Sequence, residues 1–173
     1  MSTAREELER ILTEREGELA ADGFAEVVEG FIEFGETEDD YFSSLQLLPS
    51  PLAELYATLI FNSNVRFDGL PAAILYYHKH PEFMLTLQQG LNLLKEQKLW
   101  SLIKRASAHL HSDSSNALSS KTPNVTFDQE VPKSSNKSYF AQAKQLMPKI
   151  GAFLHANREQ VLAAASRFEL PPA

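Results

Sequence analysis

Residues 62–83 read NSNVRFDGLPAAILYYHKHPEF, and two prolines decide how the stretch folds. Proline fits the first turn of a helix, where its missing N–H is not needed, and breaks a helix further in. The stretch therefore reads as the end of one helix, a turn at Gly69, a helix carrying Pro71 to Tyr77 and a new helix from Pro81. Asp68 is the expected N-cap of the middle helix, because its carboxylate can accept the free N–H groups of the first turn. His80-Pro81 repeats the device. Phe67, Tyr76, Tyr77 and Phe83 read as core.

Working outward, LAELYATLIF (52–61) is apolar on most sides, which predicts a central helix started by a Ser50 cap and Pro51. On the other side, EFMLTLQQGLNLL (82–94) continues as helix to a break near Gly90 or Lys95. Leu99, Leu102, Ile103, Ala106 and Leu110 mark the next helix. Nearer the N-terminus, Leu8, Ile11, Leu12 and Leu19 form one stripe of a helix over Thr3–Ala21, stopped by Gly23. A second segment is expected from an Asp22 cap to Gly35, with Phe24, Val27, Val28, Phe31 and Ile32 on its inner face. A short helix follows over Asp40–Leu47. Residues 111–138 hold eight serines and two prolines and read as a long polar loop. Within it NVTFDQEV alternates, which suggests one extended segment near 124–131. Tyr139 to Phe168 returns to helix, divided in two by Pro148 and Gly151. The expected fold is all-α: a multi-helix bundle over residues 1–173 in a single domain, with the 111–138 loop inside it.

No apolar run approaches the ~18–20 residues of a membrane span. The start, MSTAREELERIL, carries charge where an export signal needs an apolar core, so a cytoplasmic protein is expected. There are no cysteines, which removes disulfides, thiol catalysis and Cys-ligated zinc. The net charge is −7, but its distribution says more. No Lys or Arg occurs between Arg15 and Arg66, an interval holding eleven Asp and Glu residues. From Lys95 to Lys149 nine bases face only Glu96, Asp113, Asp128 and Glu130. Such asymmetry concerns partners more than fold.

Asp22, Glu26, Glu29, Glu33 and Glu36 recur at spacings of 4, 3, 4 and 3, one stripe of a helix, and Glu38, Asp39 and Asp40 extend the acidic run. Like charges at these spacings oppose the helix by ~0.2–0.5 kcal/mol per pair. At ~1.5 Å rise per residue the carboxylates are spaced loosely like the charges of a nucleic-acid strand. A partner that is a basic protein is expected for these eight residues. The bland reading is a solvated face with surplus charge.

Catalysis would have to use Asp68, His78, His80 and Arg66. Against it, Asp68 stands where a cap is needed, and histidines at a helix end favour its negative pole. His-x-His also points its rings ~200° apart on a helix, a poor chelate, and His109/His111 repeat that spacing. No metal site, no cofactor and no catalytic residue is assigned. Direct binding of nucleic acid is disfavoured by the acidic half.

The stretch also carries a resemblance. Asn64, Phe67 and Asp68, led by the 52–61 helix and followed by AAILYY and LQQGLNLLKEQKLWSLIKRASAHL, match an Asn-Gly-Gly-Phe-Asp/Ser-Gln signature, with Val65 and Arg66 in place of the two glycines. Over about residues 45 to 110 the chain resembles a bacterial all-helical family that includes an acidic DNA-mimic protein. The resemblance implies a dimer whose acidic surface occupies the DNA-binding face of a transcription regulator, and so a homodimer here. The reading that follows is a non-catalytic acidic interaction protein with a basic partner such as a DNA-binding protein, a regulator or an inhibitor or immunity protein. The alternative is a small enzyme using the Asp68/His78 neighbourhood.

Overall fold

The computed structural model describes residues 3–30, 32, 37–113, 124–127 and 134–167. Among these, the chain is all-α apart from one short ribbon. Helix α1 (Ala4–Glu14) opens with a capping box in which Thr3 and Glu6 serve each other's backbone N–H. It ends at Arg15, and α2 spans Gly17–Glu29. The expected single helix to Ala21 is thus two, broken at Arg15-Glu16. Leu19 falls on the outside and is 64% exposed. Asp22 lies inside α2 and caps nothing, and Gly23 does not stop it; a Cβ at Gly23 would strike Ile11 and Arg15. Helix α2 ends at Gly30, short of the expected Gly35, and Phe31 and Gly35 fall outside the described residues.

Helix α3 (Glu38–Leu47) has its own capping box, between Thr37 and Asp40. Helix α4 (Leu52–Asp68) is the central element, with Leu55, Tyr56, Leu59, Phe61 and Val65 among its buried side chains. Pro51 stands at its N-cap position and no side chain caps it, so the Ser50 cap is not formed. Helix α5 (Leu70–Tyr77) follows after one residue, Gly69, at φ 87°, where a side chain would be strained. Helix α6 (Pro81–Leu93) starts at the expected proline. Gly90 does not end it: a Cβ there would approach Glu54 O and Thr58 Oγ1 to under 3.0 Å, so glycine is what lets α6 lie against α4. The helix ends with Lys95 in the left-handed region at φ 58°, and the Glu96 N–H reaches back to Leu91 O (2.7 Å).

Helix α7 (Gln97–Ser107) buries Leu99, Leu102, Ile103 and Ala106. Leu110, expected on this stripe, instead begins strand β1 (Leu110–Asp113). β1 pairs antiparallel with β2 (Asn124–Phe127), Leu110 opposite Phe127 and Asp113 opposite Asn124. The alternating segment is therefore extended as expected, and its partner comes from the stretch read as loop. Helix α8 (Ser134–Ala143) takes the end of that stretch too. Helices α9 (Leu146–Ala156) and α10 (Arg158–Ala165) complete the described chain. Pro148 sits in the first turn of α9, where proline is tolerated, and Gly151 lies in its middle. Gly151 is a contact residue: a Cβ would meet the Gly17 carbonyl at the start of α2. The tail divides at Lys144-Gln145 and again at Asn157.

One cluster of buried side chains runs from Leu8 to Ala165. Tyr77 stacks on Phe83 (centroids 4.1 Å), and Phe42 of α3 stands edge-on to both. Phe67 and Tyr76, expected in this core, are 84% and 42% exposed. Among the described residues no helix is long and apolar enough to cross a membrane.

Candidate functional site: an acidic helix face and the cavity beside it

The inner face of α2 is fixed by Ala20, Ala21, Phe24 and Val28, all buried. The 3.6-residue period then turns Glu18, Asp22, Glu26 and Glu29 to the other side, where all four are exposed. Arg15, in the break between α1 and α2, reaches Glu26 across 3.7 Å, with the Glu26 side chain still 70% exposed. Glu18, Asp22 and Glu29 have no ion pair among the described residues. Glu33 and Glu36 lie outside the described residues, as do the side chains of Glu38 and Asp39. Asp40 is not a free carboxylate. Its Oδ2 accepts from Thr37 N (3.0 Å) and Thr37 Oγ1 (2.7 Å) and serves α3.

Between α2, α4 and the start of α9 opens a cavity of about 650 Å³. Helix α2 lines it with Asp22, Ala25 and Glu29, and α9 adds Met147. The remaining wall is α4, from Tyr56 to Phe67, including Asn62, Ser63 and Arg66. Tyr56 and Tyr41 bring their hydroxyls to 3.4 Å. Burial, with the negative charge of Glu29 adding to it, holds both phenols above their ordinary range. Tyr56, the one of the two that lines the cavity, therefore faces it as a neutral hydroxyl. Arg66 is exposed and has no ion pair among the described residues. Asn62 is 5% exposed, and its Oδ1 accepts from Tyr139 (3.2 Å).

The three signature residues do different things. Asn64 donates to the Tyr77 hydroxyl (2.7 Å) and ties α4 to the end of α5. Phe67 projects at the cavity rim. Asp68 is exposed and ends α4; it does not cap α5, which has no side-chain cap of its own. The Leu70 N–H is met instead by Asn136 Oδ1 of α8 at 2.8 Å. Val65 and Arg66 are helical, so the turn lies at Gly69 and not where the signature has its glycines.

Asp68 and His78 stand at opposite ends of α5, whose eight residues separate them by ~12 Å of helix. The fold does not assemble them into an acid–base pair. His78 Nδ1 lies 2.5 Å from Leu75 O, and His80 stacks on Phe42 at 3.7 Å between centroids. His109 lines a different cavity, and the side chain of His111 is outside the described residues. Among the described residues no three or more His, Asp and Glu gather closely enough to hold a metal ion.

Comparison with protein-family models, curated proteins and solved structures finds no match to this chain. The site must therefore be read from its own geometry. Sequence reasoning put Asp22, Glu26 and Glu29 on one side of a helix, where they lie, but missed the cavity, Asn62 and the place of Arg66. One signal was present: Asn62 directly follows the apolar 52–61 run, four residues after Thr58. Both are buried, and only Thr58 satisfies itself within the helix, through Glu54 O (2.8 Å).

Proposed function

We propose that the chain is a non-catalytic interaction protein that presents the carboxylates of α2 to a basic partner, a DNA-binding protein in the manner of the mimic family its signature resembles. The supporting observation is that Glu18, Asp22 and Glu29 stand exposed along α2 and form no ion pair among the described residues. Helix α1 relieves its own charge differently, with Arg10 bonded to Glu7 (2.8 Å) and Glu14 (3.0 Å). The one ion pair of α2 among the described residues, Arg15–Glu26, is exposed and of the kind that contributes ~0–1 kcal/mol. The acidic face thus keeps a repulsion that a basic surface would relieve. Phe67 adds an apolar ring beside it that an interface would bury. Asp68 and His78, standing apart, favour no second reading.

The test is capture of basic proteins by Asp22→Asn/Glu26→Gln/Glu29→Gln against wild type at low and high salt, with double-stranded DNA as competitor. All three positions are exposed, so the fold should persist. Capture should fall ~tenfold or more, mainly through slower association, and high salt should mimic the mutation. DNA should displace the wild-type protein from what it captures. Lys98→Gln/Lys104→Gln/Lys137→Gln should change nothing. Undiminished capture by the carboxylate triple variant at low salt would reduce the face to solvation alone.

A further inference from the structure

The 650 Å³ cavity shares Asn62, Arg66 and Met147 with a neighbouring one of about 240 Å³, and their combined size suits a small organic ligand. Its charges are sorted by wall. Glu18, Asp22 and Glu29 come from α2, Arg66 from α4 and Lys144 from the connection between α8 and α9, and they do not pair with one another. Opposite charges facing one cavity without meeting leave a gap that a doubly charged molecule would fill.

A second, independent observation lies deeper. Asn62 is 5% exposed, and its oxygen is engaged by Tyr139. Its amide nitrogen has no partner among the described residues, yet the side chain lines both cavities. The amide is not sealed in the core, so this donor is available to a molecule in the cavity. Asn62 and Arg66 are four residues apart on α4 and so share a face, two donors aimed at one place. Donors of this kind call for a carboxylate, which the arginine fork can take through two hydrogen bonds.

We propose that this cavity binds a small zwitterion with an apolar body, an amino acid or dipeptide. Its carboxylate lies on Arg66 and the Asn62 amide, its ammonium lies between Asp22 and Glu29, and its side chain rests on Tyr56, Phe67 and Met147. A purely cationic ligand would face Arg66, and a purely anionic one would face two carboxylates; a zwitterion satisfies both walls. The inference goes beyond the basic-partner reading and does not rest on it. Glu26 separates the two, since it belongs to the acidic face but not to the cavity.

The experiment is an NMR titration of the full chain with three forms of one skeleton: the dipeptide Leu-Phe, its N-acetyl derivative (anion only) and its C-terminal amide (cation only). Leu-Phe should give saturable shifts at Asn62, Arg66, Phe67 and Met147. Because a hydrogen bond to a charged group is commonly worth a factor of ~10 or more, Leu-Phe should bind ~tenfold tighter than either derivative. Arg66→Gln, at an exposed position, should keep the fold and weaken Leu-Phe by ~tenfold or more, while Glu26→Gln should leave it unchanged. Absence of saturable binding, equal affinity for the three forms, or full affinity in Arg66→Gln would overturn the proposal.

Discussion

Replacing Asn136 by Ala should destabilise the protein more than replacing Asp68, although Asp68 is the residue that stands next to the helix in sequence. Helix α5 has eight residues and no side-chain cap of its own, and Pro71 removes one of its first-turn N–H groups. The Leu70 N–H lies at a fully buried residue and meets Asn136 Oδ1 at 2.8 Å, across 66 residues of sequence. Losing a helix cap costs ~0.5–2 kcal/mol, and leaving a buried donor unsatisfied costs ~1–3 kcal/mol. About 2 kcal/mol is therefore expected for Asn136→Ala, or roughly 4–8 °C in Tm for a chain of this length.

Two companions make the test specific. Asn136→Asp keeps the accepting oxygen and places an anion at the N-terminus of α5, so it should stay within ~0.5 kcal/mol of wild type. Asp68→Ala removes an exposed carboxylate with no hydrogen bond among the described residues, and should also stay within ~0.5 kcal/mol. The assay is urea unfolding followed by circular dichroism, comparing midpoints at unchanged slope. A loss of 1 kcal/mol or more in Asp68→Ala with Asn136→Ala unaffected would refute the trans cap.

Gly151→Ala should cost ~1–3 kcal/mol in the same assay, because its Cβ would drive into the Gly17 carbonyl; a gain, as at an ordinary mid-helix glycine, would show that α2 and α9 do not pack so closely. Lys95→Gly should raise stability by ~0.5–1 kcal/mol, since Lys95 holds φ 58° in the cap that ends α6. Burial raises the phenol pKa of Tyr41, Tyr56 and Tyr139 in the folded state. The folded protein thus holds these protons more tightly than the unfolded chain, so their stabilisation is present below pH ~10 and is lost as pH climbs past it. Phenolate absorbance from these three should appear only together with unfolding, and early, reversible titration in the native state would contradict their burial.

Where local chemistry acted alone, the sequence was readable. Pro81 marks the start of α6, and the all-round apolar 52–61 run is the central helix. Residues 124–127 are extended, inside the segment whose alternation suggests it. Several misreadings share one cause, which is contact between parts distant in the chain. Gly23, Gly90 and Gly151 look like helix breakers from their neighbours, yet each lies within a helix where another segment comes too close for a side chain. Asp68 looks like a cap, but Asn136 of α8 already occupies the place. Phe67 looks like core, but the core around the end of α4 is filled by Val65 and Leu70, and the helical period turns Phe67 outward.

The charge pattern shows the same difference between sequence and space, and it bears on function. Along the chain, Arg15 and Arg66 only bracket an acidic interval. In the fold both return to it: Arg15 pairs with Glu26 on the outer side of α2, and Arg66 enters the cavity that Asp22 and Glu29 border. The acidic stripe is therefore bounded by a cation on either side. A flat basic surface can still meet Glu18, Asp22 and Glu29 from outside, where its own charge lies nearer to the carboxylates than to Arg66. A single cationic side chain pushed into the cavity would meet Arg66 at close range. On the two proposals, the exposed side of α2 would take the basic macromolecule and the cavity the molecule that brings a carboxylate with it. Neutralising Arg66 should accordingly weaken the interior ligand while leaving rim binding equal or stronger.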